Sequence, residues 1–316
     1  MLLAGFIAFL SAFTFAASNT MVRKGVLTGT VGQAMLVTVP LGAGVSWLGV
    51  LASSMFFSIP LPSRTLALFC AMAGIVHFVI GRYLNYKAIQ AMGSNLVGPV
   101  QQFSVVVTLL LANIVLGEVP TGVQAIGILA ILLSPILLFE TRLTAGEKVA
   151  FVPDRRRGYV YAFASAIAFG VSPILINIGL REQEGLISGL MAGAVAYTAA
   201  ALVVTLGAFR RSEGSSAQVS RSSVAWYAIS GVTVAVSQLL SYMSLAIAPV
   251  SVVIPIQRTA IVLRLGLARH VNRDTEVFGA KMVVASCLSL AGAVILTVDA
   301  GQISDFLAGL VRPAGR

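Results

Sequence analysis

The sequence predicts an all-α integral membrane protein with ten transmembrane helices, arranged as two inverted five-helix repeats. Three observations lead there. Of 316 residues, 58% are hydrophobic and only 10% charged, more apolar surface than a soluble domain of this size can hide. The apolar residues fall into ten runs, each near the roughly 20 residues that cross a bilayer core of about 30 Å. The chain also repeats itself at an offset of 154 to 156 residues. Lipid offers no partner to backbone N–H and C=O groups, so runs of this kind are helices.

The first run spans about Leu2–Met21 and the second about Val31–Phe56, with Pro40 inside it. The turn Pro60-Leu61-Pro62 precedes the third, about Thr65–Ala88. The fourth covers about Ser94–Leu116 and stops at Gly117-Glu118; the fifth covers about Thr121–Phe139. A polar stretch ending in Arg155-Arg156-Arg157 then separates the halves. Runs six and seven begin at Gly158 and Gly185. Runs eight, nine and ten are about Val224–Ile247, Val250–Ala268 and Val277–Val298. The expected divisions are a first repeat over 1–140, a basic linker over 141–157, a second repeat over 158–298 and a short tail over 299–316.

The repeat is legible residue by residue. Between runs one and six, at an offset of 154, Ser11 meets Ser165, Phe15 meets Phe169, Ser18 meets Ser172 and Gly25 meets Gly179. Between runs three and four and runs eight and nine, at 156, Leu84 meets Leu240, Tyr86 meets Tyr242, Pro99 meets Pro255 and Gln101 meets Gln257. Five spans per half is an odd number, so the second half enters the membrane the other way up. That architecture is common among alternating-access carriers, whose sites sit where interrupted helices of the two halves meet.

The net charge of +10 does not indicate a nucleic-acid partner. Thirteen Lys and Arg follow odd-numbered runs and four lie on the opposite side, the bias that sets membrane topology. It places both termini outside, in a multi-pass protein of a bacterial-type inner membrane. The first run lacks a basic leader, so it reads as a span and not as a cleaved signal. Cys70 and Cys287 lie in separate apolar runs and read as small buried hydrophobes. No metal-ligand cluster, phosphate-cradling loop or catalytic constellation appears, so neither an enzyme nor a cofactor is expected.

The paired five-span halves, the small-residue turn into the fourth span of each, and the ending Leu116-Gly117-Glu118 before a glycine-bearing fifth span resemble the drug/metabolite transporter superfamily. The resemblance is to its ten-span form with two EamA-type domains. The second half departs from it, with Ala268-Arg269-His270 in place of the acidic ending. The resemblance implies a secondary carrier, commonly an exporter, with a central cavity lined chiefly by spans three, four, eight and nine. Lipid and a small-molecule metabolite are the implied partners.

Four cations lie within the runs, Arg82, Arg258, Arg264 and Lys281, while all eleven Asp and Glu residues lie at run ends, in loops or in the tail. A charge at mid-bilayer costs roughly 2.5–3.5 kcal/mol on insertion scales, so it is paired or functional. Arg258 stands near the middle of its run, where its planar fork suits a carboxylate or phosphate; the alternative is bonding to carbonyls freed by Pro255. Arg82 and Tyr86 share a helix face; a cavity role for Arg82 competes with snorkelling to the interface. Arg264 and Lys281, nearer run ends, are expected to snorkel. His77 is expected to be buried, neutral and bonded to a neighbour. Gln101, Gln102, Gln238, Gln257 and Tyr242 either orient a ligand or hold helices together. Pro99 and Pro255 either loosen their helices or occupy first turns, where proline costs little. The function expected is transport of a small polar or anionic organic metabolite. A non-transporting structural or regulatory membrane protein is the alternative.

Overall fold

A computed structural model describes residues 2–116, 122–139, 152–183, 185–209, 220–247, 253 and 256–297. Within these residues the protein is helical throughout. Helices α1 (Leu2–Thr28) and α2 (Val31–Ser54) open the chain. The third span is built of α3 (Arg64–Gly74), a π-helical turn (Ile75–Gly81) and α4 (Arg82–Met92). The fourth is α5 (Ser94–Gln101) and α6 (Phe103–Leu116), and α7 (Gly122–Phe139) comes next. The second half contributes α8 (Arg155–Leu180), α9 (Leu186–Phe209), α10 (Arg221–Leu245), α11 (Ala260–Val271) and α12 (Ala280–Thr297). Residues 140–151, which include most of the expected 141–157 linker, Glu118 and the tail lie outside the described residues.

Among the described residues, seven helical stretches are long and apolar enough to cross a membrane, and the apolar segments Ala125–Leu137 and Ala280–Ile295 are shorter. Their large apolar side chains point outward: Phe6, Leu48, Leu51 and Ile114 are all more than half exposed. Small and polar groups face inward, the distribution expected where the surrounding solvent is lipid. Lys281 and Cys287 lie on this outer surface; Cys70 alone is the buried small hydrophobe expected of both cysteines.

Local signals set the helix ends. Thr30 and Gln33 form a reciprocal capping box at the start of α2, and Ser63 accepts from Leu66 N–H at the start of α3. Between α4 and α5 the chain reverses at Gly93, whose φ of 87° excludes most side chains. In the π turn the N–H of Arg82 donates to the carbonyl of His77, five residues back.

The helices pack mainly across the two parts of the chain. The most extensive contact joins α1 to α10, and others join α2 to α9 and α10, α8 to α3, α4 and α6, α3 to α9, α1 to α11, and α7 to α12. A serine ladder fastens α1 to α10. Ser11 and Ser237 exchange hydroxyl-to-carbonyl bonds of 2.9 Å each, and Ser18 and Ser230 do so at 3.1 and 3.0 Å. Residue 11 opposite 237 and 18 opposite 230 makes the pair antiparallel. Close approach elsewhere depends on glycine: Gly74 sits against the Ala196 backbone and Gly231 against that of Thr38. These contacts leave a space at the centre of the bundle lined by polar and apolar groups together.

Candidate substrate-binding cavity

The space is a cavity of about 140 Å³. Span four reaches it where it is interrupted. Pro99 lies in the second turn of α5, neither in the first turn nor at a wide opening; the helix tightens at Gln102, whose N–H donates to Pro99 O at 3.3 Å. The break turns Gln101 and Gln102 inward. Gln238 and Tyr242 of α10, Gln257 and Arg258 just before α11, and Arg264 of α11 face the same cavity. Pro255 lies outside the described residues.

The polar groups fall into those already engaged and those left free. Gln101 donates to Asn85 at 2.6 Å, and Asn85 to Asn19 at 3.3 Å, a chain of amides joining three spans. Gln257 donates to Ser241 at 2.8 Å, and His77 is bonded to Ser172 at 2.7 Å, as expected of it. In contrast, Gln102 Oε1, Tyr242 OH, Arg258 Nε and Arg264 Nε are buried without a hydrogen-bond partner among the described residues. The one bond from Arg258 to those residues goes to Ser104 at 3.3 Å.

Two of the expected site residues, Arg82 and Tyr86, line a smaller adjoining pocket that shares Phe15, Asn19, His77, Phe169 and Gln238 with the cavity. Arg82 is buried, so it does not snorkel, and it lines this adjoining pocket and not the main cavity. It donates to Tyr197 OH at 2.8 Å and lies 4.7 Å from the Phe78 ring centroid, with Phe78 and Tyr197 stacked on each other. Desolvated cation–π contacts of this kind hold a guanidinium firmly. Tyr86 donates to Thr38 at 3.4 Å and shares only a small side pocket with Arg82 and Asn85.

Three features escape the sequence pattern. Arg264, expected to snorkel, is only 4% exposed and lines the cavity; Gly98 makes room, since a Cβ there would overlap its guanidinium. Helices α1 and α8 supply walls through Asn19, Phe15, Phe169 and Ser172. The signal for that lies in the repeat, because Phe15/Phe169 is one of its identities. Third, a carboxylate is buried after all. Glu276, in the turn between α11 and α12, accepts from the N–H groups of Ser94 and Asn95 at 2.6 and 3.0 Å. It lies 3.8 Å from Arg23 and is not among the cavity walls. The α5 N-terminus, with unpaired N–H groups and a positive dipole end, holds it there.

An outward-facing apolar surface around a central cavity of mixed polar and apolar lining defines a multi-span membrane protein. Residues 2–140 match the model of the EamA-like transporter family, of the drug/metabolite transporter superfamily. That is a family of membrane transporters of small molecules, not of enzymes. A solved structure described only as "Crystal structure of protein" shares the fold, with a TM-score of 0.65 and 16% identity over 99% of each chain. No curated protein matches the chain.

Proposed function

We propose that the protein is an alternating-access carrier, working as an exporter, for a small polar or anionic organic metabolite. The observation that carries this reading is the central cavity, walled by both parts of the chain and holding buried cations without a lining carboxylate among its described residues. Arg258, Gln102, Gln257, Gln238, Gln101 and Tyr242 are the proposed contacts. Arg82 and Tyr86 are proposed to brace the adjoining pocket.

The seven long stretches, together with α7, α11 and α12, supply ten spans on this reading, in halves 1–140 and 158–298. The helix pairings support an inverted repeat. Exchanging each span for its counterpart turns the α1–α10 contact into that of α8 with span three, and α2–α10 into α9–α3. It likewise turns α6–α8 into α1–α11, and leaves α2–α9 and α7–α12 unchanged. The end of the bundle where α1 finishes is the Lys/Arg-rich one, proposed to face the cytoplasm of a bacterial-type inner membrane. Arg23, Glu276 and the α4–α5 turn meet at that end.

The test is reconstitution into liposomes and counterflow against a panel of small anions and zwitterions. Saturable exchange that is lost in Arg258→Ala supports the carrier. Absence of saturable flux for every solute, with the protein folded, would overturn it in favour of a non-transporting role.

A further inference from the structure

Two guanidinium groups share the cavity, and only one of them was legible from the sequence. Among the described residues Arg264 finds no hydrogen-bond partner, and Arg258 finds one, from Nη1 to Ser104. Every other donor on the two forks is unengaged by those residues. The Glu276 carboxylate acts on Arg264 electrostatically, but no ion pair joins them, since its oxygens are turned to α5 and Arg23. No Asp or Glu stands among the described lining residues. Buried charges are paired or solvated, and a cavity that holds two like charges with one bond between them lacks its counter-charge. Water alone satisfies donors but leaves the charge unbalanced.

We infer that the occupant is a dianion, carrying a dicarboxylate or a phosphomonoester, gripped between Arg258 and Arg264. The inference rests on the carrier reading for its physiological meaning but concerns binding alone. Planar guanidinium forks pair with carboxylate and phosphate oxygens through paired N–H donors. The free Gln102 carbonyl and Tyr242 hydroxyl then meet the donors and acceptors on the rest of the molecule. Size sets a second limit. A cavity of about 140 Å³ suits a small metabolite such as a short dicarboxylate or a triose-sized phosphate ester.

The binding test uses the purified full chain in detergent, with thermal unfolding as readout. The probes are succinate, malate, glycerol 3-phosphate, propionate and choline. A rise in Tm with a dicarboxylate or with the phosphate ester, and none with propionate or choline, supports the inference and identifies which acid group is read. Stabilisation by propionate or choline equal to that by the dianions overturns it, and so does no shift with any dianion. Arg258→Met and Arg264→Met give an independent readout. Each removes an unbalanced buried charge, so each is expected to raise the Tm of the ligand-free protein while weakening dianion binding at least tenfold. A structural arginine behaves oppositely, and a fall in ligand-free Tm for both variants would sink the two-cation site. Lys281→Gln, on the outer surface, is the control and leaves the ligand shift unchanged. A protein that binds dianions and carries no flux retains this inference and loses the carrier reading, so the two fail separately.

Discussion

Arg23 and Glu276 come from opposite ends of the chain and meet 3.8 Å apart, with side chains 1% and 0% exposed. Each is also tied to backbone. Arg23 donates to the carbonyls of Ile89 and Thr275, at 2.9 and 2.7 Å. Glu276 accepts from the first turn of α5. The pair therefore fixes the α4–α5 turn to the α11–α12 turn. Breaking a buried pair by removing one partner costs about 3–5 kcal/mol. Glu276→Gln is expected to lower Tm strongly. The double variant with Arg23→Gln should lose less than the sum of the single losses, because it leaves no lone charge. Additive losses in a double-mutant cycle would mean that the two residues act independently.

Helix contact provides a second prediction. An alanine methyl at Gly74 would meet the carbonyl oxygen of Ala196, whereas one at Gly44 would meet nothing within 4 Å. Gly74→Ala forces the third span away from α9 and is expected to cost about 1–3 kcal/mol or more. Gly44→Ala removes a flexible residue from a helix interior and should be neutral or stabilising by up to ~1 kcal/mol. Thermal denaturation of the two variants side by side decides this. Equal effects would contradict the packing described.

Gly98 carries the third. Its missing Cβ is the space that Arg264 occupies. Gly98→Ala should therefore reproduce the ligand-binding defect of Arg264→Met without touching a charge. Ligand-induced stabilisation is the readout, and a Gly98→Ala protein with undiminished stabilisation would show that Arg264 does not need this position.

Tyr197→Phe separates the bracing arginine from the binding ones. It removes the hydroxyl that accepts from Arg82, leaving a buried donor unmet at a cost of roughly 1–3 kcal/mol. Tm is expected to fall while ligand affinity holds. A large affinity loss with unchanged Tm would instead place Arg82 in the site.

Most of the helical plan was legible in the sequence because lipid makes the rules simple. Apolar run length sets a helix, and glycine and proline punctuate it, as Gly93 does before Ser94. Arg258 and the glutamines stand out because a polar residue in an apolar run is costly. The misreadings have a common cause. The place of Arg264 and Arg82 along a span is visible locally, but the outcome is decided by what lies across from them. Gly98 gives Arg264 room beside the cavity, and Tyr197 and Phe78 draw Arg82 into the adjoining pocket. Glu276 has the look of a loop residue, though a loop folded onto a helix N-terminus is as buried as a span. Partners of that kind come from distant parts of the chain, and the local pattern does not record them.

On the proposed two-repeat reading, the π turn at Ile75–Gly81 holds an insertion. Before it, the glycines that let span three and α10 approach their neighbours, Gly74 and Gly231, stand 157 apart; after it, Tyr86 and Tyr242 stand 156 apart. The first half thus holds one residue more in this stretch, and a wider turn absorbs it without rotating the helix beyond. Removing one residue between Ile75 and Gly81 should relax the turn to α-helix and keep α4 facing as it does. Removing one from α4 itself would swing every later side chain by about 100°. The turn acts as slack in an otherwise rigid rod, a place where the chain length can change by one and the interior is none the wiser.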